Sequence, residues 1–64
     1  MTKEERTLQS IIGHLNSVLV GIDLLNQQMV MNPEQHQLVR MSAENLFWYF
    51  RRMLSKIQSS KKEG

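Results

Sequence analysis

Residues able to do chemistry are few in this chain, and none of them stands in a reactive spacing. His14 and His36 are its two histidines and it has no cysteine, so a zinc ion would lack its third and fourth ligands. Ser10, Ser17, Ser42 and Ser55 have no base at a nucleophile's usual spacing, and no glycine-rich loop is present to cradle a phosphate. No catalytic residue, no metal and no cofactor is therefore expected. His14, a lone histidine at the edge of its helix, reads as a partly buried, hydrogen-bonded side chain rather than a reactive group.

What must position these side chains is a pair of helices. Thr2-Lys3-Glu4-Glu5 reads as a capping box, with the Thr2 hydroxyl on an orphan N–H and Glu5 reaching back. Glu4 and Glu5 also suit the positive end of a helix dipole. Leu8, Ile11, Leu15, Val18, Ile22, Leu25 and Met29 then recur at alternating spacings of three and four. That is the heptad period of a helix laid along other helices, and it predicts a first helix over about residues 3–29. Ile12 and Leu19 widen its seam on one flank. Asn32-Pro33-Glu34-Gln35 marks the next start: Asn32 caps, Pro33 fits the first helical position and Gln35 completes a second capping box. A turn of only residues 30–32 makes the two helices antiparallel neighbours. The second helix is predicted over about residues 33–58, with Val39, Ala43, Leu46, Phe50, Met53 and Ile57 as its seam. Residues 59–64 are predicted to be a flexible basic tail. His14 falls at the edge of the first seam, and His36 in the first turn of helix 2, where it helps to close the bundle end.

Sixty-four residues without cysteine are too few to bury a large core unaided. With disulfide and metal excluded, oligomerisation is the remaining staple. The expected fold class is all-α: residues 1–58 form an antiparallel helical hairpin that pairs with a second copy as a homodimeric four-helix bundle, the two seams supplying the dimer core. The apolar runs read as too interrupted for a membrane span, and Lys3-Glu4-Glu5-Arg6 is no signal-peptide start. A cytoplasmic location is expected, with no membrane partner. The net charge of +2 is mild, yet residues 51–62 hold five basic side chains and no acidic one.

The outer faces suggest what the hairpin does. Between Thr7 and Pro33 the only charged residue is Asp23, and Gly13, Asn16, Ser17, Val20 and Leu24 share a small, uncharged face. Soluble helices normally cover such a face with Lys and Glu, so it is either a docking surface or a tolerant solvated face. Gly13 and Gly21 each cost a helix roughly 1 kcal/mol relative to Ala. On helix 2, Met41 and Trp48 lie opposite the seam beside Arg51 and Arg52, a composition typical of binding hot spots. Trp48 could fill a pocket on a partner, pack against a neighbouring protomer or stack on a nucleic-acid base. A nucleic-acid interface would use Arg40, Trp48, Arg51, Arg52 and Lys56.

Two blocks resemble the dimerisation and histidine-phosphotransfer hairpin (DHp) of sensor histidine kinases. Residues 15–25, LNSVLVGIDLL, are similar to the first-helix stretch after the phosphoacceptor box, and Ser42–Phe47 with Met53–Ile57 are similar to the second helix and its exit. The resemblance covers under half of the chain. It implies a dimeric four-helix bundle that binds a sensor kinase, or a response-regulator receiver domain against the outer side of helix 1. In that register the phosphoacceptor position holds Gln9, the acidic position Ser10, and His14 stands where such helices often carry proline. The implied role is thus a stand-alone, non-catalytic regulator, with phosphotransfer through His14 as an alternative. The chain length, the opening MTKEERT, the short turn and residues 50–57, FRRMLSKI, also resemble the Rop-like family of plasmid copy-control RNA-binding proteins. That family implies a hairpin dimer binding paired RNA loops through helix 1, where Lys3 matches. The later positions read Ser10, His14, Val18 and Leu25, which supply almost no charge to neutralise phosphate.

Overall fold

Local capping chemistry sets both helix starts. In the computed structural model, which describes residues 2–63 and side chains through residue 60, α1 spans Lys3–Gln27. The Thr2 hydroxyl accepts the Glu5 N–H at 3.2 Å, and Glu5 Oε1 accepts the Thr2 N–H at 3.2 Å. The expected capping box is thus in place, with Thr2 in an extended conformation at φ −78°. At the other end of α1 the Met29 N–H donates to the Asn26 carbonyl at 3.0 Å and the Val30 N–H to the Leu25 carbonyl at 3.1 Å. This is the paired Schellman closure, in which the residue after the cap turns left-handed. That residue is Met29, at φ 59°. The helix therefore stops two residues short of the heptad pattern, and Met29 leaves the seam for the turn.

α2 spans Pro33–Glu63. Asn32 caps it by accepting the Glu34 N–H on its side-chain Oδ1 at 2.8 Å, while its carbonyl takes the His36 N–H at 2.8 Å. The helix continues through residues 59–63, which the composition had assigned to a flexible tail; no Pro or Gly falls between Pro33 and Gly64 to stop it. Residue 64 and the side chains from Lys61 onward lie outside the described residues.

The fold is all-α, two helices packed against each other as an antiparallel hairpin. Its inner stripe differs from the sequence seam in an instructive way. Glu5, Leu8, Ile12, Leu15, Leu19 and Ile22 turn inward on α1, and His36, Ala43, Phe47, Phe50, Leu54 and Ile57 on α2. Leu8, Ile22 and Ala43 are the buried apolar residues, and no described side chain is completely enclosed. Ala43 is the smallest of the inward residues on α2. The result is a rod of 50 × 16 × 12 Å, too thin to have an interior of its own. By length and composition alone α1 is apolar enough to cross a membrane, although one of its stripes is spent on α2.

Candidate interaction surfaces

Helical geometry divides the remaining surface into two unlike sides. Asp23 and Arg40 mark the first, because their side chains are paired across the two helices. Arg40 Nε also donates to Glu44 Oε1 at 2.7 Å, and the half-buried His36 places its Nε2 3.4 Å from Asp23 Oδ1. The Arg40 guanidinium holds the Asp23 carboxyl below the ordinary carboxylate range; desolvation works against that shift and His36 adds to it. Arg40 is in turn held more firmly cationic by Asp23 and Glu44.

The second side is apolar. Residues seven apart lie almost above one another on a helix, so Ile11, Val18 and Leu25 form one row on α1. Val39, Leu46 and Met53 form another on α2. Both rows stand roughly 90° from the inward stripe, on the side away from Asp23 and Arg40. The register is fixed by the Asp23–Arg40 pair and by Leu8 beside Met53 and Ile57. It sets Ile11 across from Met53, Val18 across from Leu46 and Leu25 across from Val39. Val18 is 49% exposed, Leu46 50%, Leu25 41% and Val39 43%. At the open end the same side continues into a groove lined by Lys3, Glu4, Thr7, Leu8, Met53 and Ile57. Of the thirteen seam residues read from sequence, Leu8, Ile22 and Ala43 are buried, and Ile11, Leu15, Phe50, Met53 and Ile57 are half-buried. Val18, Leu25, Val39 and Leu46 face outward, and Met29 projects from the turn, 89% exposed.

The residues expected to meet a partner are all exposed: Gly13, Asn16, Ser17, Val20 and Leu24 on α1, and Met41, Trp48, Arg51 and Arg52 on α2. Asn16 and Val20 border the Asp23–Arg40 side from α1, and Trp48 and Arg51 border it from α2. The Trp48 ring stands edge-on to half-buried Phe47, centroids 5.4 Å apart, and the Arg51 guanidinium lies 5.9 Å over the same Phe47 ring. The indole itself remains 55% exposed. A Cβ added at Gly13 or Gly21 would meet nothing within 4 Å, so the hairpin itself supplies no packing reason for either glycine.

His14 is exposed rather than partly buried, and its Nδ1 lies 2.7 Å from the Ser10 carbonyl. A carbonyl only accepts, so Nδ1 carries the proton of that bond. Leu15 follows it, and no carboxylate is paired with it among the described residues. The Ser42 hydroxyl donates to the Leu38 carbonyl at 3.1 Å, an intrahelical bond of no catalytic consequence. No group of three or more His, Cys, Asp or Glu comes together among the described residues. The Asp23–Arg40–Glu44 tie is not legible in the sequence, where Asp23 is simply the one charged residue between Thr7 and Pro33. Its only linear signal was the Arg40/Glu44 spacing of four.

No family model matches the chain, and neither a curated protein nor a solved structure is significantly similar to it.

Proposed function

We propose that this protein is a small, non-enzymatic regulatory module that works as a homodimeric four-helix bundle and binds a signalling partner, of the sensor-kinase or receiver-domain kind, in the cytoplasm. The observation that carries the reading is the division of the hairpin into one uncovered apolar side and one polar side bordered by exposed docking residues. A compact 7.5 kDa chain should leave roughly 4,250 Å² accessible, whereas this one exposes 5190 Å², about 900 Å² more. That surplus is close to the roughly 800 Å² that each partner buries in a standard interface. A second copy seated on the apolar rows would remove it. The Gly13, Asn16, Ser17, Val20 and Leu24 face would remain free for the signalling partner, with Trp48, Arg51 and Arg52 as a second patch.

Titration of the protein against purified receiver domains and kinase hairpins from the same genome tests this. Binding to one of them should weaken at least tenfold in Val20→Glu and in Ser17→Arg, with helicity unchanged. Binding unaffected by both substitutions would remove the α1 face from the mechanism. The exposed Trp48 beside Arg51 and Arg52 supports a competing class of partner. If RNA binds instead, and the affinity falls steeply with salt, that patch is the site and the signalling role is lost.

A further inference from the structure

We infer that the two hairpins pair end over end, the turn of each lying against the open end of the other, about a two-fold axis perpendicular to the helices at the level of Val18 and Leu46. The inference rests on the dimeric reading above and adds the orientation that reading leaves open.

Charge along the rod carries it. The half near the turn holds Asp23, Glu34 and Glu44 against Arg40, a net charge of −2. Among the described side chains the open half holds Lys3, Arg6, Arg51, Arg52 and Lys56 against Glu4 and Glu5, a net charge of +3. The rows between them are uncharged, so the apolar surface gives the pair its area and the ends decide its direction. Side-by-side hairpins with both turns at one end would stack the two basic ends together. Reversing one hairpin sets each basic end level with an acidic one; the Asp23–Arg40–Glu44 tie stands away from the apolar rows, so the ends act through the summed field of each hairpin rather than by contacts across the rows.

A second observation agrees. The Ile11–Met53 and Leu25–Val39 rungs lie equally far along the rod from Val18–Leu46, so reversal superposes apolar rung on apolar rung. The open-end groove of Lys3, Glu4, Thr7, Leu8, Met53 and Ile57 then lies as far from that axis as the turn does on the other side. The turn presents Met29, 89% exposed at φ 59°. A left-handed conformation is unfavourable for a residue other than Gly, and nothing in its own hairpin covers this side chain. In the reversed pair it lies at the level of the other copy's groove, where Leu8, Met53 and Ile57 offer apolar cover.

The protein has no cysteine, so Gln58→Cys, near the open end and off the apolar side, provides a single attachment point for a spin label. Its dimer is measured by sedimentation and by dipolar electron spin resonance. End-over-end pairing puts the two labels beyond about 40 Å, given the helical rise. Pairing with both open ends together puts them within roughly 30 Å, since neighbouring helix axes are about 10 Å apart. A dimer with the long distance supports the inference. A dimer with the short distance overturns the orientation while leaving the dimeric reading standing. A monomer with no dipolar signal overturns both. Met29→Asp, read in the same way, should weaken the dimer tenfold or more without loss of helix.

Discussion

At the scale of single residues, the two α1 glycines are the most telling, because the hairpin gives no reason to keep them. With open space where each Cβ would go, Gly13→Ala and Gly21→Ala should each stabilise the fold by about 1 kcal/mol. Chemical denaturation measures that gain. Partner titration measures the other half, because Gly13→Ala puts a methyl group on the proposed docking face and should weaken the complex. Stabilisation with undiminished partner binding would mean that Gly13 is merely tolerated. His14 shows the same separation of exposure from function. Its exposed ring is anchored to the Ser10 carbonyl, and no carboxylate is paired with it among the described residues.

Between elements, one polar tie and one apolar stripe hold α1 on α2. Arg40, aided by His36, depresses the Asp23 carboxyl, and this fixes the sign of its effect on stability. A carboxyl whose value is lower in the folded state contributes fully above its ordinary value and loses that contribution as pH falls through the depressed one. Thermal unfolding of Asp23→Asn should therefore lie below that of the parent near neutral pH, and the gap should close in acid. A gap that persists below the carboxylate range would mean that Asp23 acts through packing instead. Helix starts and the hairpin turn were legible in the residues, because Thr2, Glu5, Asn32 and Pro33 act locally. The heptad period marks an apolar pattern on each helix but cannot separate its members. Leu8, Leu15 and Ile22 pack inside one hairpin while Val18 and Leu25, in the same pattern, do not. That distinction depends on where the second helix lies, and it needs three dimensions. Met29 was misplaced for a related reason: the left-handed closure that removes it from α1 usually announces itself by glycine, and here none is present. The Asp23–Arg40 pair joins residues seventeen apart, beyond any helical spacing.

At the scale of the whole molecule, the account depends on what covers the Ile11, Val18, Leu25, Val39, Leu46 and Met53 side. A hairpin with three buried apolar residues among those described has little to set against the conformational entropy of ordering two long helices. Its folding and its association should accordingly be one transition, with a midpoint that rises with protein concentration. The partner-facing side would then be rigid because of the dimer, and a regulator built this way would lose its docking surface when the pair separates. Sedimentation equilibrium at micromolar concentration addresses this most directly, comparing the parent with Val18→Asp combined with Leu46→Asp. The account predicts a helical parent at twice the 7.5 kDa chain mass, and a variant that is monomeric and largely unfolded. A fully helical parent sedimenting as a single chain at that concentration would contradict it.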